Sequence, residues 1–189
     1  MESLVSNIQI QVQDSLFVKD PQSSDLGKKI IKGSIELICE LGFEQFTFKK
    51  LAVKISSTEA SVYRYFESKN MVLLYLSNWY WSWLEYRIVF TITNLPSAED
   101  QLLKAVHLLT EQVNEDGNFE HINEIKLHQI VVSESLKSYL SKDVDSKNEG
   151  GAFVPYKNLV ERITQLILQI NPQFKYPHML ISTVIEGAH

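Results

Sequence analysis

Leu51–Lys69 reads LAVKISSTEASVYRYFESK. Two short helical patterns flank the turn Ser56-Ser57, and the second of them, Thr58 to Phe66, decides how the chain is read. Val62 and Phe66, four residues apart, anchor it from one side. Glu59, Ser61, Tyr63, Arg64 and Tyr65 occupy the other side. The apolar stripe is too thin for a core helix, and the aromatics are too many for an ordinary loop. Thr58 stands where a side-chain oxygen caps the helix start. A short capped helix of this kind presents polar side chains to a partner.

Working outward, the upstream residues supply two supporting helices. Leu26 opens a helical period carried by Ile30, Ile31, Ile35, Leu37, Ile38 and Leu41, and Gly42 offers the permissive backbone found just past a helix end. Phe46 and Leu51 flank Thr47 at the spacing of a hydrophobic staple, so Thr47 caps a helix running from Phe48 to about Ile55. Residues 25–70 therefore form three helices with a tight turn between the second and third. That is the layout of a helix-turn-helix, whose second element enters the DNA major groove.

Charge is distributed to match. The 189-residue chain has a formal net charge of −5, yet residues 25–70 carry eight Lys and Arg against six Asp and Glu, leaving −7 on the remainder. This asymmetry favours a polyanionic partner for the N-terminal third. Hydrophobic residues make up 44% of the chain and charged residues 22%, an ordinary globular balance. No apolar run approaches the roughly 20 residues that span a bilayer, and the N-terminus lacks signal-peptide character. The chain reads as cytoplasmic, without a membrane partner. The single cysteine, Cys39, excludes an internal disulfide and a multi-cysteine zinc site, and its apolar setting predicts buried packing.

The stretch LICELGFEQFTFKKLAVKISSTEASVYRYFESKNMVLLYL resembles the DNA-binding signature of the tetracycline-repressor (TetR) family. The likeness covers Ile30 to Leu76: Gly42-Phe43, the capping Thr47, Leu51-Ala52, the capping Thr58, Val62-Tyr63, Tyr65-Phe66 and Ser68-Lys69. The family pattern usually has glycine where this chain has Ser56, and often at Ala60. The resemblance implies a bacterial, all-α, homodimeric transcription regulator, usually a repressor, whose variable C-terminal domain commonly binds a small molecule. Residue chemistry assigns roles within that frame. Thr47, Tyr63 and Tyr65 offer hydroxyls to phosphate, and Lys69 adds charge at a helix start already favourable to anions. Thr58, Glu59, Ser61 and Arg64 lie on or beside the exposed turns, where Glu59 can accept from cytosine N4 and Ser61 can donate or accept. Lys49, Lys50 and Lys54 add salt-dependent affinity.

Before and after this head the patterns differ. Residues 1–24 form an N-terminal extension in which Ile8, Ile10, Val12, Leu16 and Val18 alternate as in a strand, a pattern open to a strand or a loosely docked arm. Residues 71–189 read as a helical ligand-binding and dimerisation domain. A helix led by Ser68 runs to Ile92, a second opens at Ser97 and continues to Val113, and a third spans Phe119 to about Leu140. The segment 141–153 is the clearest loop. Two final helices, near Pro155 to Ile170 and from Pro177 onward, supply a dimer surface, because the family pairs its last two helices. The uncapped end at His189 leads us to expect clipping inside the last helix.

Trp79, Tyr80, Trp81, Trp83, Tyr86 and Phe90 surround their helix too completely for one buried stripe. Trp83 and Tyr86 are the preferred pocket residues, for an apolar or aromatic ligand. His121, Glu124 and His128 share a helix face, but no further cluster completes a metal site, and none is assigned. No cofactor is implied. With no phosphate-cradling glycine motif and no nucleophile elbow, an enzyme is not expected. The alternative function is a ligand-independent DNA-binding or interaction protein of the same fold, with the aromatics serving only as core.

Overall fold

The structure is a computed structural model that describes residues 9–115, 117–139 and 153–188. Eight α-helices are present among them: α1 (Asp25–Leu41), α2 (Phe48–Lys54), α3 (Glu59–Tyr63), α4 (Lys69–Ile92), α5 (Ala98–Thr110), α6 (Glu124–Tyr139), α7 (Val154–Ile170) and α8 (Pro177–Ala188). No described residue forms a strand, so the fold is all-α.

Local chemistry sets most helix starts. Ser24 Oγ accepts from Gly27 N at α1, Thr47 Oγ1 from Lys50 N at α2, Thr58 Oγ1 from Ser61 N at α3 and Ser97 Oγ from Asp100 N at α5. Each bond satisfies one of the donors that a helix N-terminus otherwise leaves unpaired. Gly42 ends α1 with φ +75°, a left-handed conformation that glycine adopts without strain. Helix α6 starts at Glu124, five residues later than expected, because Asn123 Oδ1 accepts from Lys126 N and makes the cap there.

The chain divides into two compact units. The first comprises Met1–Tyr80 with Val113–Ala152, and the second Trp81–Gln112 with Phe153–His189. In the first unit α1 packs on α2 and α6, and α2 on α3. The buried set includes Ile30, Ile31, Ile35, Phe46, Leu51, Val62 and Phe66. Gly33 allows α1 and α2 to approach, since a Cβ there would lie 2.7 Å from Ile55 Cγ2 and 2.9 Å from Leu51 Cδ1. In the second unit α5, α7 and α8 pack against one another. Leu159, Ile163, Leu166 and Ile167 are buried on α7, and Ile181 and Ile185 on α8. Arg162 closes on Glu85 Oε1 through two N–H groups at 2.9 and 3.1 Å.

Three expectations change. The N-terminal extension is a docked strap and not a strand: Ile10, Val12 and Leu16 are buried, and 3-10 turns occur at Asp14–Leu16 and Pro21–Ser23. Cys39 is exposed, one step past the buried face of Ile31, Ile35 and Ile38, with its thiol directed at Lys126 O at 3.4 Å. Helix α5 ends at Thr110, where Glu111 turns to extended backbone. The loop expected at 141–153 lies outside the described residues, apart from Phe153.

Candidate nucleic-acid interface

The turn between α2 and α3 is built by Ser57 N–H donating to Ala52 O at 2.9 Å, with Ser56 N–H donating to Val53 O. Ser56 adopts φ +53°, the left-handed region. A residue with a Cβ pays about 1 kcal/mol or more there, which is why glycine suits this position. Ser56 thus holds the left-handed backbone that glycine would adopt without strain.

Around this turn the sequence-identified residues separate into three groups. The first is exposed and free to meet a ligand: Thr47 and Lys49 on α2, Thr58 and Glu59 at the start of α3, and Tyr63 and Arg64 at its end. Ser61 is half-buried beside Thr58, with the two hydroxyls 2.8 Å apart. Tyr63 is 51% exposed, its ring held edge-on against Phe48 with centroids 4.9 Å apart. Phe48 thereby fixes the ring while the hydroxyl end remains in solvent.

Lysines that double as structural ties form the second group. Lys50 Nζ donates to Gln45 O at 2.8 Å. Lys69 Nζ donates to Phe43 O and Glu44 O and lies 4.7 Å from the Phe43 ring centroid, so it clamps the start of α4 to the turn after α1. Lys54 bridges Glu36 and Glu40 of α1 at 3.2 and 3.0 Å, and the bond to Glu40 raises its pKa. Its ammonium is held at the surface between two carboxylates of α1.

Tyr65 stands alone in the third group. It is 4% exposed, and its hydroxyl shares a 2.8 Å hydrogen bond with Ser24 Oγ. The structure thus engages this hydroxyl within the protein, where a backbone contact to DNA was expected. Sequence reasoning also missed Val53, which is 77% exposed on α2. An apolar side chain on this face suits a thymine methyl; the signal was its position beside Lys49 and Lys54 on a helix too short to bury every apolar residue.

These features correspond to a known head. Residues 30–76 match the family described as bacterial regulatory proteins, tetR family. Over these residues the chain carries a TetR-type head. No curated protein matches it by sequence. Among solved structures, AibR in complex with isovaleryl coenzyme A and operator DNA superposes with a TM-score of 0.61 at 15% identity, over 82% of this chain and 80% of that one. A Saccharomonospora viridis protein described as a transcriptional regulator, in complex with choline, gives 0.60 at 18% identity, over 87% and 83%. At such identities the likeness is one of fold. The TetR-family DNA-binding character rests on the matched head and its exposed face.

The remaining expected residues lie outside the head. Trp83 is fully buried, with the Arg87 guanidinium 4.9 Å from its ring centroid, and Arg87 in turn pairs with Glu111 at 2.9 Å. Tyr86 is half-buried and stacks on Phe90. A cavity of about 270 Å³ occurs elsewhere, in the first unit, lined by Lys32, Glu36, Glu115, His121 and Glu124 among others. His128 Nδ1 is 2.9 Å from Tyr80 Oη, and no group of three ligands among the described residues could hold a metal. Desolvation lowers the pKa of both His121 and His128, with Lys28 adding to the effect on His121. No described helix is long and apolar enough to cross a membrane.

Proposed function

We propose that this protein is a homodimeric TetR-family repressor that binds a pseudo-palindromic operator through residues 25–70 and releases it when a small molecule occupies its C-terminal domain. The observation that carries the reading is the exposed set Thr47, Lys49, Glu59, Tyr63 and Arg64 around the turn at Ser56. Hydroxyls and cations on such a face position phosphate, and the α3 side chains are left for base edges. Dimerisation is supported by the apolar residues that α7, α8 and their connection leave in solvent: Ile170, Tyr176, Met179 (65% exposed) and Leu180. A two-fold pairing would cover them and would present two recognition helices to successive major grooves. Ligand control takes support from the fold shared with proteins solved with isovaleryl coenzyme A and with choline. A ligand-independent regulator is the second reading, favoured by Trp83, whose face is already occupied by Arg87.

Selection from a random duplex pool tests the reading. The expected result is enrichment of a two-fold symmetric site, bound by a dimer and weakened in a Lys49→Ala, Tyr63→Phe double variant. A dimer that enriches nothing would overturn the operator-binding reading; a site whose affinity no small molecule alters would leave the ligand-independent one.

A further inference from the structure

Helix α3 spans five residues, far short of the roughly 12 that an isolated helix needs for marginal stability. Its N-terminal end is held by the Thr58 cap and its middle by buried Val62. Its C-terminal end is held by Phe48 against Tyr63 and, beyond it, by the strap. Val18 N–H donates to Tyr65 O at 2.8 Å, Ser24 Oγ meets Tyr65 Oη at 2.8 Å, and Lys19 Nζ lies 5.2 Å from the Tyr65 ring centroid. Phe17 sets its edge on Tyr75, which meets Phe66 in the same way, with centroids 6.1 and 5.4 Å apart. Polar contacts from the strap thus converge on Tyr65, two residues past the recognition helix, and an aromatic chain through Tyr75 reaches Phe66.

The strap is itself built to stay in place. Asp20 caps its second turn by accepting from Gln22 N at 2.8 Å, and Gln22 Nε2 donates to Ile10 O at 2.9 Å. Independently, Gly27 on α1 is shaped to receive it: a Cβ there would lie 2.2 Å from Pro21 O and 2.6 Å from Pro21 Cα. Any side chain at position 27 would collide with the Pro21 backbone, so the strap would have to shift.

We propose that residues 9–24 form a positioning strap for the recognition helix, with Ser24 and Tyr65 as its clasp. Tyr65 is then a positioning residue that acts through Ser24. The proposal rests on the DNA-binding reading, because a helix that reads base edges must be held within about 0.5 Å of its working position. Strap loss lowers operator affinity without removing any atom that touches DNA.

Two measurements test it on the full chain, using Tyr65→Phe, Ser24→Ala, their double variant and Gly27→Ala. The first needs no DNA. Amide hydrogen exchange at Ser61–Phe66 is expected to quicken about tenfold in Gly27→Ala and Tyr65→Phe, as local opening becomes cheaper; unchanged protection overturns the strap. The second is affinity for the duplex that the unmodified protein selects from a random pool. Tyr65→Phe and Gly27→Ala are each expected to bind about fivefold more weakly, and Ser24→Ala at least as weakly because it also removes the α1 cap, with the double variant no worse than Ser24→Ala alone. Weakening by Tyr65→Phe alone, with Ser24→Ala and Gly27→Ala bound normally, overturns the proposal in favour of a phosphate contact. Should the unmodified protein select no duplex, the operator reading fails, and the exchange rates still decide whether the strap holds α3.

Discussion

Helices α3 and α8 both leave side chains in solvent, but of opposite kinds. Around α3 the exposed residues include Thr58, Glu59, Tyr63 and Arg64. On α8 they include Met179 and Leu180, with Tyr176 just before it. The first surface is well hydrated when alone and gains specificity from a partner rich in hydrogen-bonding groups. The second loses free energy in water until another apolar surface covers it, at about 25 cal/mol per Å². One chain therefore carries an end suited to reversible, salt-sensitive contact and an end suited to lasting association.

The contrast can be broken most severely at α8. If α8 forms the proposed two-fold interface, Met179→Glu with Leu180→Glu would bury unpaired charge there, costing about 3–5 kcal/mol of association. Sedimentation velocity should then show monomers with an intact helical spectrum; an unchanged dimer would place the interface elsewhere. In the head, Gly33→Val tests whether the polar display needs its tight interior. With Leu51 and Ile55 within 3 Å of the new Cβ, denaturant unfolding should show a loss of about 1–3 kcal/mol.

Smaller effects sharpen the head. Lys49→Ala should weaken operator binding by about 1 kcal/mol and reduce the slope of log K against log salt by about 1, if the lysine neutralises a phosphate. Lys54→Ala, its charge being shared between Glu36 and Glu40, should change that slope less. Ser56→Gly relieves the left-handed strain and should raise stability by about 0.5–1 kcal/mol in the same unfolding assay.

The mildest change is with pH. His121 and His128 have folded pKa values below the usual 6.5, so below 6.5 the unfolded chain binds more protons than the folded one. Their contribution to stability is complete above 6.5 and is lost as pH falls through the lowered folded values. A thermal melt at pH 7.5 and 5.5 should show a drop that His128→Asn reduces.

Local chemistry was legible in the sequence. Thr47, Thr58 and Ser97 cap their helices because the hydroxyl and the N–H it accepts from are only three residues apart. The staple of Phe46 and Leu51 is also local, and both side chains are buried. Long-range placement was not legible. Tyr63 and Tyr65 look equivalent in sequence, yet one ring is exposed and the other is buried with its hydroxyl on Ser24, 41 residues away. Lys54 and Lys69 likewise meet partners 14 and 26 residues distant. Period-two alternation in the N-terminal extension left a strand and a docked arm open, and its buried alternate side chains belong to a docked arm with no neighbouring strand among the described residues.

The first compact unit is discontinuous along the chain: Met1–Tyr80 is joined by Val113–Ala152, with Trp81–Gln112 intervening. During synthesis α1 to α3 emerge while α6, which packs on α1, is still to be translated. At about 5–20 residues per second the wait from Tyr80 to Glu124 is on the order of seconds. For that interval the nascent head has its turn and its strap, yet one flank of α1 is bare. Chaperone occupancy on ribosome-bound chains should therefore peak before α6 appears and fall once it docks.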